Sequence, residues 1–135
     1  TYWFEISKQK YNLTNVEHKI IRKEFSDFRI HAAIVCAAKS CPPLRSEIYH
    51  PKYLDSQLDS QMKIFLMQEE KNYYDTKNNV LYLSKIFNWF EKDFITEKGS
   101  LLQNLEPYFP VYWKDHFSKE KPSIDYTDYD WSLNE

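Results

Sequence analysis

An α+β fold, a single compact domain with a small central sheet and packed helices, is what this 135-residue chain predicts. Three observations carry the prediction. Tyr2, Phe4 and Ile6 alternate with Trp3, Glu5 and Ser7 at the period of a strand; Ile30 to Cys36 is an apolar, β-branched run; and Leu54, Leu58, Met62 and Phe65 recur at helical spacing. A hydrophobic content of 42%, of which aromatic residues make 18% of the chain, is ample for a packed core over this length.

In chain order, Tyr2–Ile6 reads as an edge strand or the first arm of a hairpin, with Ser7 to Lys10 as the turn. Thr14 or Asn15 caps a helix that ends near Phe25, with Val16, Ile20 and Ile21 on one face and Glu17 in the first turn, where the helix dipole favours a carboxylate. Ile30 to Cys36, apolar on both faces, reads as a central strand. Pro42 and Pro43 then fix a loop that runs to Tyr49. His50 caps a helix starting at Pro51 and continuing to about Gln68. Tyr73–Asp75 and Val80–Leu83 flank Thr76-Lys77-Asn78-Asn79, whose asparagines tolerate left-handed geometry, and so form a hairpin. Ser84 caps a helix through Phe94, and Ser100 caps another through Leu105 that Pro107 and Pro110 stop. Ile124 and Tyr126 mark a late strand.

Several function classes are disfavoured at this level. A formal charge of −2 gives no electrostatic footprint for nucleic acid. The longest uninterrupted apolar run, Ala32 to Ala38, is far short of the ~20 residues that span a bilayer. Gly99 is the only glycine, so no phosphate-cradling loop of the dinucleotide or P-loop type can be built, and no cofactor is expected. From the start at Thr1, without methionine or a signal-like apolar core, the expectation is that a leader or an upstream part has been removed.

Chemistry concentrates in Arg29 to Arg45, where an apolar run leads into a turn carrying Cys36, Cys41, Pro42 and Pro43. Cys41 is the candidate nucleophile, since a loop thiol beside a histidine is activated as the thiolate and attacks a carbonyl carbon. His31 and His18 are the candidate bases. A single extended strand would hold His31 and Cys41 about 20 Å apart at ~3.3 Å per residue, so His18 on the preceding helix carries equal weight. Glu17 is the candidate for orienting whichever histidine acts. Cys36 reads as a small buried hydrophobe continuing the Ile30, Ala32, Ile34 face, with a Cys36–Cys41 disulfide as the further alternative. A mixed zinc site from His18, His31, Cys41 and Glu17 or Asp93 matches no local metal spacing, and no metal is expected. Lys85 follows the Ser84 cap, where the dipole disfavours a cation, so it reads as a lysine with a carboxylate partner or lining a pocket, with a solvated lysine as the alternative. With Ser40 and Arg45, which flank the Cys-Pro-Pro turn, it completes the binding candidates.

Asn15-Val16-Glu17-His18, Arg29-Ile30-His31, Ser40-Cys41-Pro42-Pro43-Leu44-Arg45, Leu83-Ser84-Lys85-Ile86-Phe87-Asn88-Trp89-Phe90 with Asp93-Phe94, and Tyr129-Asp130-Trp131-Ser132-Leu133-Asn134 together resemble the domain-of-unknown-function family numbered 547. The resemblance runs from about Trp3 to Asn134. It implies a domain found in bacteria, often in exported proteins, and in eukaryotes beside other modules, without a settled activity. Members of that family carry further helices upstream, so residues 1–135 are expected to be most but not all of the family domain, open to association with that upstream segment.

The function expected from these readings is a cysteine-dependent hydrolase or acyltransferase acting on an amide or thioester in a peptide or small molecule. The alternative is a non-catalytic protein-interaction module that uses the Cys41-Pro42-Pro43 loop as a rigid recognition turn.

Overall fold

Leu81 and Leu83 are fully buried while Val80 and Tyr82, on the other face, are half-buried, and this alternation puts β4 (Val80–Leu83) at the centre of the sheet. In the computed structural model, which describes residues 2–95 and 99–135, β4 pairs antiparallel with β3 (Tyr73–Asp75) and parallel with β5 (Ser123–Tyr126), giving the order β3-β4-β5. The β3–β4 turn is the expected one. Asn79 adopts φ 54°, and the Asp75 carboxylate accepts from the backbone N–H of Lys77 and Asn78 at 3.0 and 3.1 Å.

Helices pack on this sheet through one apolar cluster. The helix α4 (Leu54–Leu66) buries Leu58, Met62, Phe65 and Leu66, the face its spacing predicts, and a 3-10 turn at Pro51–Tyr53 precedes it, capped by His50 as expected. Phe65 stacks on Phe87 of α5 (Lys85–Trp89) at 5.5 Å, and Phe87 meets Phe94 of α6 (Glu91–Phe94) at 5.0 Å. The expected single helix after Ser84 is thus two, broken at Phe90. Leu101 and Leu105 of α7 (Leu101–Leu105), capped by Ser100 with a reciprocal Gln103 bond, and Trp113 of α8 (Val111–Phe117) close the core. Asn72, fully buried, donates to the Phe65 carbonyl and accepts from Ser84 N–H, so the end of α4 and the start of α5 share one satisfied amide. No described helix is long and apolar enough to cross a membrane.

The amino-terminal part differs from expectation in register. Only Phe4–Ile6 (β1) pairs, with Gln9–Tyr11 (β2), across a turn at Ser7 and Lys8, which both have positive φ. Asn12 rather than Thr14 or Asn15 is the cap, its side chain accepting from Asn15 N–H at 2.8 Å. The helix runs on through α1 (Leu13–Asn15), a π-helical turn at Val16–Ile21 and α2 (Arg22–Glu24).

The larger correction concerns Ile30 to Cys36, which is not a central strand. Ile30–Ala33 forms a short helix, α3, and beyond it the extended Ile34 leads into residues that join no strand. The physical reason lies just upstream. Asp27 accepts from Arg29 N–H at 3.0 Å and its carbonyl accepts from Ile30 N–H, which starts a helical turn that two alanines then continue. Both edges of β4 are already taken by β3 and β5, so no central place in the sheet is open.

Candidate active site

A cleft of about 610 Å³ opens where the π-helical turn, α3, the Cys36–Cys41 loop, α5 and the carboxy-terminal residues meet. Its walls are mostly apolar, from Val16, Ile34, Ile86, Trp89, Phe90 and Trp131, and its polar groups are Glu17, His31, Tyr129 and the two sulfurs. The wide turn at Val16–Ile21, in which Arg22 N–H bonds the Glu17 carbonyl five residues back, both turns Glu17 to the cleft and sends Arg22 toward α6.

His31 is buried at 4% exposure and is held from two sides. Its ring stacks on Phe90 at 4.2 Å and 17°, and its Nε2 lies 2.8 Å from Asp93 Oδ2, which also accepts from Arg22 Nε at 2.7 Å. Arg22 pins the Asp93 carboxyl below the usual carboxylate range, with His31 adding to the effect against partial burial. Burial pushes the His31 imidazole below its ordinary value, more than Asp93 pulls it up. At neutral pH the site therefore holds an aspartate and a neutral imidazole. The aspartate accepts the Nε2 proton, so Nδ1 is the unprotonated nitrogen, with no hydrogen-bond partner among the described residues.

Cys41 lies on the same cleft, and its sulfur is joined to Cys36 in a disulfide with Cα atoms 5.9 Å apart. Cys41 is buried and Cys36 exposed, opposite to the small buried hydrophobe expected at Cys36. Cys36 N–H donates to Cys41 Sγ at 3.1 Å, and the Tyr129 hydroxyl lies 3.3 Å from Cys41 Sγ and 3.7 Å from Cys36 Sγ. The Cys41 carbonyl accepts from the Lys71 ammonium at 2.8 Å, and Lys71, bonded also to Gln68 Oε1, is held below its ordinary pKa by burial. Gln61 Nε2 donates to the Pro43 carbonyl at 2.6 Å. These bonds fix both ends of the turn from α4 and the loop after it.

The sequence-predicted residues separate into two groups. His31, Cys41 and Glu17 share the cleft, and the 20 Å expected between His31 and Cys41 does not apply. A helical turn advances ~1.5 Å per residue instead of ~3.3 Å, and the chain then reverses to bring Cys41 back against Cys36. His18 does not line the cleft; it is exposed, its Nδ1 3.1 Å from Arg22 Nη1 and its Nε2 3.9 Å from Glu17. Ser40 clasps the carboxy-terminal tail, accepting from Asp130 N–H at 2.8 Å. Arg45 is a strut to Ser60 of α4 and to Glu47, away from the cleft. Lys85 is half-buried and, among the described residues, has no carboxylate partner and does not line this cleft. Among the described residues no group of three or more His, Cys, Asp or Glu side chains is placed to hold a metal ion, so the mixed zinc set does not gather.

Four residues of the site were not given these roles from the sequence: Asp93 and Arg22, which orient His31, and Tyr129 and Lys71, which face the Cys41 turn. Asp93 is 62 residues from His31, and the sequence marked it only as an alternative zinc ligand and by its place beside Phe94, not as the partner of His31. No curated protein and no solved structure matches the chain. Residues 1–66, which include Glu17, His31, Cys36 and Cys41, match the model of the family described as "Protein of unknown function, DUF547".

Proposed function

We propose that the chain is a cysteine-dependent hydrolase or acyltransferase acting on an amide or thioester, with Cys41 in its thiol form as nucleophile, His31 as base and Asp93 as the residue that orients His31. The observation that supports this reading best is that the Asp93-held, neutral His31 lines the same cleft as Cys41. The dithiol form follows from reduction of the Cys36–Cys41 bond by two electrons from a thiol reductant. His31 Nδ1 then takes the Cys41 proton and the thiolate adds to the carbonyl carbon. The imidazolium returns that proton to the departing amine or thiol as the C–N or C–S bond breaks. Water or an acceptor nucleophile then attacks the acyl–Cys41 carbonyl carbon as its proton passes to His31, the C–S bond breaks with its electron pair going to Cys41, and the Cys41 thiolate takes the proton back from His31. Glu17, on the wall of the cleft, is a substrate contact rather than the third member of the triad, a role that Asp93, 2.8 Å from His31 Nε2, fits better.

The interaction-module alternative has less support, because Pro42 is buried and Pro43 half-buried, leaving the turn little face for a partner to read. The test is hydrolysis of a panel of thioesters and activated esters by the reduced protein. Cys41→Ser should abolish turnover, and His31→Gln should lower kcat by a factor on the order of 10² to 10⁴. Turnover that survives Cys41→Ser, or a Cys41 thiol whose alkylation midpoint in the reduced protein is indifferent to His31→Gln, would defeat the proposal.

A further inference from the structure

The Cys36–Cys41 disulfide is asymmetric in access and in hydrogen bonding, two of the properties that govern thiol–disulfide exchange. Exchange begins with in-line attack on one sulfur and expels the other as a thiolate, so it is fastest where the attacked sulfur is reachable and the expelled one is stabilised. Cys36 is exposed and Cys41 is 5% exposed. Polar groups gather on the buried side. Cys36 N–H points at Cys41 Sγ, and in the disulfide, where neither sulfur carries a hydrogen, the Tyr129 hydroxyl is the donor of its 3.3 Å contact to that sulfur. The Lys71 ammonium, bonded to the carbonyl of the same residue, puts a full positive charge within one residue's span. A negative charge arriving on Cys41 is thus met by two donors and a cation, while the Tyr129 contact to Cys36 Sγ is the longer one at 3.7 Å.

We infer that the pair is an exchange-active disulfide that low-molecular-weight thiols open by attack at Cys36, with Cys41 as the leaving thiolate stabilised by Tyr129. In the first step an incoming thiolate bonds to Cys36 Sγ, the Cys36–Cys41 bond breaks, and its electron pair goes to Cys41. In the second a further thiolate attacks the sulfur of the bound thiol, releasing the small-molecule disulfide and leaving Cys36 as a thiolate that takes up a proton. Two thiols are oxidised and one protein disulfide is reduced. The exchange stands on the geometry of the two sulfurs alone. Its consequence, that opening the bond delivers a thiolate at Cys41 beside His31, rests on the proposed acyl-transfer reading, and would make thiol supply the gate of that activity.

The folded, oxidised protein is exposed briefly to glutathione with iodoacetamide present, quenched in acid and mapped by peptide mass spectrometry. The expected product carries glutathione on Cys36 and carbamidomethyl on Cys41, in at least about tenfold excess over the reverse arrangement. Tyr129→Phe should slow the reaction about tenfold while leaving glutathione on Cys36. Glutathione mainly on Cys41, or no reaction until denaturant is added, overturns the inference, and an unchanged rate in Tyr129→Phe overturns the part given to Tyr129. No acyl substrate enters this experiment. Exchange at Cys36 in a protein whose reduced form hydrolyses nothing would uphold the inference and defeat the acyl-transfer reading, so the two can fail separately.

Discussion

Residues 2–25 and residues 54–113 treat their apolar side chains in opposite ways. In the first stretch Trp3, Ile6, Leu13 and Phe25 are exposed, and Asn12 is the only buried residue. In the second, Met62, Phe65, Phe87 and Phe94 are sealed from solvent and touch one another in a single cluster. The first stretch attaches to the second through a polar contact, Arg22 to Asp93, and along the walls of the cleft. The comparison teaches that the candidate site sits on a seam. His31 and the Cys41 turn are carried by the rim of the packed half, while Glu17 and Arg22 come from the half with no apolar core of its own. Stability should therefore come from one side, and the electrostatics of the site from both.

The largest effect should come from the packed half. Phe87→Ala removes a fully buried ring that meets both Phe65 and Phe94, and is expected to cost about 3–5 kcal/mol in urea unfolding; a loss under about 1 kcal/mol would mean the cluster is not where stability lies. Asp93→Asn, at the seam, takes the charge from a half-buried arginine and a buried histidine and should cost roughly 1–2 kcal/mol. It should also speed amide exchange in residues 16–24 more than in α4, and equal acceleration in both would show that the seam is not a boundary.

A smaller effect is in the pH dependence. His31 is held below its unfolded value, so between that lowered value and about 6.5 the unfolded chain binds the more protons and stability rises with pH. His31→Gln should flatten the stability profile just below about pH 6.5, while leaving the acid limb. Asp93 shapes that limb: its contribution is complete above the ordinary carboxylate range and is lost as pH falls through its depressed value. An unaltered slope in His31→Gln would place the titrating group elsewhere. The smallest change belongs to Ile6→Ala on the exposed hairpin, expected within about 0.5 kcal/mol of wild type. A loss above about 1.5 kcal/mol there would mean that the hairpin is packed more firmly than its exposure suggests.

The parts of the fold legible in the chain were those with local causes. Helix α4 followed from the spacing of Leu58, Met62 and Phe65, and the β3–β4 hairpin from Asn78 and Asn79. The caps at His50, Ser84 and Ser100 came from a single side chain next to a helical pattern. Ile30 to Cys36 misled because a short apolar run satisfies strand and helix equally, and the deciding bonds come from Asp27, outside the run. The candidate site was half legible. Cys41 and His31 stand out as residue types in an apolar setting, but Asp93, Tyr129 and Lys71 are ordinary residues 62, 88 and 30 positions from the groups they contact.

Composition and periodicity thus sufficed for an α+β chain with one apolar cluster, because burial and capping are dictated by residues within a turn or two of each other. Which histidine is oriented, which cysteine is buried and which faces solvent were decided only when the chain closed. Hydrogen-bond partners, desolvation and access are properties of what lies across the gap, and His31, Asp93, Cys36, Cys41 and Tyr129 have no sequence spacing that encodes their meeting.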